Sequence, residues 1–182
     1  MNQSLKVRRL VEAAMIAAIY TVLTYAAAAL NLAYQGIQFR FSEALTILPV
    51  FTPSAIPGLA IGCFLSNLGS PMWSIDWISG TSATLLAAVL TRLLRNLTVK
   101  GLPVLAPFPP VLTNAVIVGC VIAVTDPAGF SVPLFAAMAL SVGLGELAVC
   151  YGLGLPLIAV LKKTGVSKRI FLESQESPKR LI

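Results

Sequence analysis

The sequence predicts an all-α integral membrane protein, a compact bundle of six transmembrane helices with both termini cytoplasmic. Three observations lead there. The 182 residues are 57% hydrophobic and only 11% charged, with a mean hydropathy of +0.88, whereas a soluble domain is about 25% charged. Apolar segments near the ~20 residues that span a bilayer recur along the chain. Basic residues gather at both ends, Lys6, Arg8 and Arg9 before the first apolar run and Lys162, Lys163, Lys168 and Arg169 after the last. Basic flanks stay cytoplasmic, so the chain crosses an even number of times.

The first helix is expected over Ala13–Ala33. Its basic start and the small residues Ala27-Ala28-Ala29 look like a signal peptide, but the apolar run is long for one and more spans follow, so it is retained. The stretch Ala44–Leu65 reads by hydropathy as one span, which makes five. Pro49, Pro53 and Pro57 sit inside it, and an interior proline costs a helix about 3 kcal/mol. Five spans also place the basic ends on opposite sides. Two shorter helices, Phe41–Phe51 and Pro53–Asn67, joined at Phe51-Thr52-Pro53, meet both objections. Broken helices at membrane depth persist only when buried in protein or lining a cavity, and so point to a binding site. The fourth helix is expected over Ser79–Leu94, entered near Trp77 and ended by Arg92 and Arg95. The fifth is Ala106–Val124, opened by Pro107, Pro109 and Pro110. The sixth is Pro133–Leu161, bent at Gly152, Gly154 and Pro156. Residues 1–163 form the membrane domain and 164–182 a cytoplasmic tail.

This arrangement turns Asn31–Arg40, Leu68–Ile78 and Thr125–Val132 outward. Glu43, Asp76, Asp126 and Glu146 lie in or beside those segments or in the outer part of a helix. Ionisable groups inside a membrane are costly and usually functional. Glu146 stands out, because an unpaired carboxylate there is strongly disfavoured; a ligand satisfies it, or a partner such as Arg40 or Asn114. Arg40 and Glu43, three apart, either pair on one helical face or touch a ligand. Asn67 and Asn114 offer donors and acceptors to a polar heterocycle or to another helix. Trp73 and Trp77 anchor the interface or close over a flat ring. Asp126, beside Pro127, Ala128 and Gly129, reads as a turn residue. Ala13, Ala14, Ala17 and Ala18 form small-xxx-small pairs that admit a close helix, either a docking subunit or the sixth helix.

Other classes fall away. The chain has no His, which removes the commonest metal ligand and the usual general base. Cys63, Cys120 and Cys150 are single packing residues without metal or disulfide spacing. No enzyme activity, cofactor or metal is expected. The net charge of +6 sits in the tails and one loop, which orients the protein and makes no nucleic-acid patch.

The stretch Gln38-Phe39-Arg40-Phe41-Ser42-Glu43-Ala44-Leu45-Thr46-Ile47-Leu48-Pro49 resembles the substrate-binding S components of energy-coupling-factor (ECF) transporters, in particular the queuosine-precursor (QueT) group. The resemblance continues in Pro57-Gly58-Leu59-Ala60-Ile61-Gly62-Cys63 with Asn67, in Asp76-Trp77-Ile78-Ser79-Gly80 with Thr81 and Thr84, in Asn114-Ala115 and in Gly145-Glu146, over roughly residues 8–162. It implies a six-helix protein of a prokaryotic plasma membrane that captures a vitamin-like substrate from outside. The implied substrate is a 7-deazaguanine such as preQ0 or preQ1. The implied partners are a transmembrane T subunit, which the alanines of the first helix would meet, and two ATPase subunits. ATP hydrolysis belongs to those partners, since this chain has no phosphate-binding glycine loop.

The residue chemistry agrees with that substrate class. A guanine-like edge presents adjacent N–H donors, which a buried carboxylate accepts; Glu146 is the first choice and Asp76 the second. Asn67 or Asn114 meets the carbonyl or a ring nitrogen. Phe39, Trp73 or Trp77 stacks on the ring, worth about 1–3 kcal/mol. Two alternatives stay open: an S component for another small heterocycle, and a self-sufficient secondary carrier whose acids relay protons. The chain lacks the clear internal repeat of many such carriers.

Overall fold

The structure, a computed structural model, describes residues 3–33, 39–70, 73–99 and 101–171. Among them the chain is helical, apart from turns and a lone bridge between Val99 and Leu102. The α-helices are α1 (Gln3–Ala29), α2 (Ala55–Asn67), α3 (Trp73–Leu93), α4 (Phe108–Thr125), α5 (Val132–Val149), α6 (Leu155–Lys163) and α7 (Val166–Ile170). A 3-10 helix, Phe41–Val50, lies between α1 and α2, and a π-helical turn, Cys150–Gly154, joins α5 to α6. The α-helices described are therefore seven, not six. The second expected helix winds as 3-10, the last is divided by the π turn, and α7 forms where only tail was expected. Four runs are long and apolar enough to cross a membrane: Gln3–Ala29, Ile75–Asn96, Phe108–Thr125 and Val132–Lys163. Phe41–Val50 and Ala55–Asn67 are shorter apolar helices.

Local chemistry sets the helix ends. Asn31 takes a left-handed φ of 56°, which Asn tolerates better than most residues. The amides of Asn31 and Leu32 then donate to the carbonyls of Ala28 and Ala27 at 2.9 Å, the Schellman pattern that closes a helix. Ser131 caps α5 by accepting from the Leu134 amide. Pro109 and Pro110 open α4, where a missing N–H costs nothing. Helix α1 starts earlier than its hydropathy indicates, because Lys6, Arg8 and Arg9 are good helix formers that end the apolar span without ending the helix.

Small residues bring the helices together. Helices α1 and α2 run parallel, Gly58 against Ala13 and Gly62 against Ala17. A Cβ on Gly58 would lie 2.7 Å from the Ala13 carbonyl oxygen, and one on Gly62 2.9 Å from that of Ala17. The 3-10 helix between them runs back the other way. It packs against α1, α3 and the π turn at the centre of the bundle. Gly119 of α4 meets the Ala139 backbone of α5 just as closely. At one end of the bundle Thr52 donates to Glu12 at 2.9 Å and Phe51 stacks on Phe171, 5.7 Å between centroids. The N-terminal part of α1 and Phe171, next after α7, thus share an end.

Burial is inverted relative to a soluble protein. Leu10 (71%), Val132 (69%) and Leu140 (64%) are largely exposed, while Arg40, Glu43, Asn67, Asn114 and Glu146 are buried. So much exposed apolar surface calls for an apolar surrounding. The chain is a multi-pass membrane protein with a polar interior.

Candidate functional site

The polar interior is built around the 3-10 helix. A 3-10 run of ten residues is long, since its hydrogen bonds are poorer than those of an α-helix and such runs seldom exceed three or four residues. Pro49 helps to impose it by lacking an amide donor and crowding the carbonyl four residues back. Side chains from other elements support it. Arg92 of α3 donates to the Pro49 carbonyl at 2.9 Å, placing a cation at the C-terminal end, where the helix dipole favours one. Thr24 of α1 donates to Ser42 at 2.7 Å.

Glu43 stands in the first turn of this helix, 1% exposed. Its Oε1 accepts from the Tyr20 hydroxyl of α1. Its Oε2 is buried and has no hydrogen-bond donor. Arg40, one turn earlier, donates from Nε to the Ala33 carbonyl at 3.1 Å and lies within electrostatic range of Tyr20, Glu43 and Glu146.

Glu146 comes from α5, 4% exposed. Its Oε1 accepts from Asn114 of α4 at 3.0 Å, and its Oε2 faces the Cys150 thiol at 3.5 Å. The same thiol approaches the Glu43 carbonyl at 3.6 Å, so the π turn links the two acids. The protein partner that sequence reasoning weighed for Glu146 is present, and it is Asn114. The buried oxygen left wanting belongs to Glu43. Fourteen residues from Val132 at ~1.5 Å each put Glu146 roughly 21 Å in, near the middle of the run Val132–Lys163.

Asn67, fully buried at the end of α2, donates from Nδ2 to the Asp76 carbonyl at 3.0 Å and points at the Cys63 sulfur at 3.4 Å. That donation fixes the amide's orientation and leaves Oδ1 buried without a donor. Thr84 of α3 closes on Cys63 at 3.2 Å. Gly80 gives Asn67 its room, since a Cβ there would lie 2.6 Å from Nδ2. Four buried polar atoms among the described residues lack a partner, Glu43 Oε2, Asn67 Oδ1, Ser54 Oγ and Thr81 Oγ1; the first two belong to side chains that meet Tyr20 and Cys63 of the core.

The other expected site residues fall elsewhere. The Asp76 carboxylate is half-buried and accepts from Ser70 at the α2–α3 corner. Trp77 packs its ring on Phe64, 5.4 Å between centroids, and Phe64 is itself partly exposed. Phe39 is half-buried, its amide bonded to the Leu32 carbonyl at 2.9 Å. The Trp73 side chain lies outside the described residues. Asp126 accepts from the Ala128 amide at 2.8 Å, as a turn residue does. The four alanines of α1 divide: Ala13 and Ala17 are buried against α2, while Ala14 and Ala18 are exposed. The internal neighbour of the stripe is thus α2, not the last helix.

Reasoning from sequence did not find Tyr20 or the roles of Thr84, Cys63 and Cys150. Tyrosine in an alanine-rich span reads as an interface residue, and a lone cysteine reads as filler. The only available signal was their spacing from Thr24, Asn67 and Glu146 along each helix.

Chemically, the arrangement offers buried acceptors, one guanidinium and two amides. It is suited to holding a polar molecule. A family model described as QueT transporter matches residues 10–163. A protein of Lactococcus lactis subsp. cremoris (strain MG1363), described as queuosine precursor transporter QueT, is 38% identical over 85 residues, which are 47% of this chain and 50% of that protein. The match thus spans about half the length of that curated relative. No solved structure matches the chain.

Proposed function

The chain belongs to the QueT transporter family, and on that premise we propose that it is the substrate-binding S component of an ECF-type importer in a prokaryotic plasma membrane. Its substrate in this reading is a 7-deazaguanine precursor of queuosine, taken from outside. A T subunit and two ATPase subunits drive uptake, both termini are cytoplasmic, and residues 1–163 are the substrate-binding domain.

The observation that carries the reading is the pair of orphan buried acceptors, Glu43 Oε2 and Asn67 Oδ1. A buried polar atom without a partner costs about 1–3 kcal/mol. Both lack a donor, so the molecule that relieves them is rich in N–H groups. A deazaguanine brings a ring N–H, an exocyclic amino group and a pyrrole N–H in one plane. The Glu146 carboxylate has further lone pairs for the ring's donor edge, and Asn114 holds it in place. The name of the Lactococcus relative agrees with this substrate. Capture suffices as the task of this chain: the ligand enters from the outer end, and docking on the T subunit through the exposed Ala14 and Ala18 turns the loaded protein inward. Conversely, the site residues are nearly inaccessible as they stand, so the outer ends of the helices must part to admit a ligand.

The test is a thermal-shift screen of the detergent-purified chain against 7-deazaguanines, guanine and common vitamins. A ligand at one hundred times its Kd stabilises the folded state by about 2.7 kcal/mol, a readily measured rise in Tm. The expected result is a rise with a deazaguanine and none with the vitamins. A rise with a vitamin alone contradicts the substrate, and uptake into liposomes by this chain alone makes it a secondary carrier.

A further inference from the structure

We propose that a groove between α1 and α7 holds an anionic phospholipid of the cytoplasmic leaflet, with one acyl chain lying along α1 and the phosphate held by Arg8, Lys168 and Arg169. The groove is separate from the polar interior. It rests on the reading above only in placing this end of the bundle at the cytoplasmic face.

Spacing along α1 makes the groove. Arg8, Val11, Met15 and Ile19 recur at the three- and four-residue steps of a single helix face and line one wall of a cavity of about 310 Å³. Leu48 of the 3-10 helix, Ile170 of α7 and Phe171 form the other. Leu48 and Phe171, each 6% exposed, make its floor, while Val11, Met15 and Ile19 stand open at its side. Eleven residues from Arg8 to Ile19 at ~1.5 Å each give a length of roughly 16 Å. That is about half of a ~30 Å hydrocarbon core, the depth of one leaflet.

Polarity is graded along that length. Arg8, at the aqueous end, is exposed, and so are Lys168 and Arg169 in the last turn of α7. The acid among the described lining residues, Glu12, is 7% exposed and accepts from Thr52. Its carboxylate is thus turned toward the bundle. Beyond Arg8 and Glu12 the wall is aliphatic or thioether, and Met15 adapts readily to an irregular neighbour. A basic mouth over an apolar trough matches a phosphate joined to a hydrocarbon chain. Each basic residue near an anionic lipid surface contributes about fivefold in affinity. A partner helix fits this groove less well. Close helix packing in lipid uses small residues, and among the described residues the lining holds no Gly, Ala or Ser. The exposed small residues of α1, Ala14 and Ala18, lie outside it.

The test is native mass spectrometry of the full chain in detergent, titrated with phosphatidylglycerol and with phosphatidylcholine of the same acyl chains. One phosphatidylglycerol is expected to bind at least tenfold more tightly than phosphatidylcholine. Arg8→Gln with Lys168→Gln and Arg169→Gln should bring that ratio below threefold. Met15→Trp, which fills the trough, should weaken both lipids at least fivefold. All four positions are exposed, so the variants should melt as the wild type does, and the wild-type comparison stands by itself if they do not. Equal affinity for the two lipids overturns the proposal, as does a preference that survives the triple variant. Unchanged binding in Met15→Trp overturns it by moving the lipid elsewhere. Competition by chainless glycerol phosphate would make the mouth a simple phosphate site, and a partner subunit cross-linked at Met15→Cys with lipid excluded would make the groove a subunit contact; either overturns it too. None of these readouts involves the transported substrate, so the substrate reading can fail while this one stands.

Discussion

The Tyr20 hydroxyl decides which oxygen of Glu43 is left for a ligand. It occupies Oε1 and leaves Oε2 without a donor. Hydrogen bonds to charged groups contribute about 1.5–3 kcal/mol, so Tyr20→Phe should weaken ligand binding by about ten- to a hundredfold in calorimetry; an unchanged Kd would remove Tyr20 from the site. Glu146→Gln should lower affinity at least tenfold while the protein stays folded, read by titration alongside the ligand-free melting curve. Trp77→Leu should change affinity less than threefold, because that ring is packed on Phe64. The polar residues themselves were legible in the sequence. Glu43, Asn67, Asn114 and Glu146 each interrupt an apolar run, and such interruptions at membrane depth demand an explanation. Which of their atoms is unsatisfied was not legible. That depends on partners 23 and 32 positions away, Tyr20 for Glu43 and Asn114 for Glu146.

Between α1 and α2 the prolines defeat hydropathy. Pro49, Pro53 and Pro57 forbid a single helix through Ala44–Leu65, and the structure turns there, at residues 51–54. The break was legible because proline's steric rule is local. The 3-10 winding was not, since Arg92, Thr24 and the π turn stabilise it from elsewhere in the chain. The π turn was foreseen only as a bend at Gly152, Gly154 and Pro156. At Gly154 a Cβ would lie 3.3 Å from Ile47, which is how the 3-10 helix gains its close approach. Glycine positions separate contact from mere flexibility. Gly58→Val places a Cβ against the Ala13 backbone at 2.7 Å, and such overpacking costs typically 1–3 kcal/mol. Its melting temperature should fall clearly below wild type. At Gly152 a Cβ meets nothing within 4 Å, so Gly152→Ala should melt at or above the wild-type temperature. Equal melting of the two variants would contradict the α1–α2 contact.

For the whole molecule, composition and the spacing of apolar runs were enough to give a helical membrane bundle, because lipid permits few other spanning structures. The number of α-helices was not legible, since 3-10, π and α windings share one hydropathy. The stripe of small residues on α1 was legible, but its division was not: α2 takes Ala13 and Ala17, while Ala14 and Ala18 face outward. If that outer face docks the T subunit, Ala14→Leu with Ala18→Leu should abolish ATP-driven uptake in the assembled transporter and leave ligand affinity unchanged; lost affinity would assign the face to folding. The central claim is that a donor-rich ligand is held by the buried acceptors of the interior. The most direct measurement is a structure of the detergent-purified protein with bound deazaguanine. The expected result is ligand N–H groups within hydrogen-bond distance of Glu43 Oε2 and Asn67 Oδ1. Ligand found instead in the apolar groove of about 440 Å³ between α3 and α4, lined by Ile75, Val116 and Cys120, would contradict it.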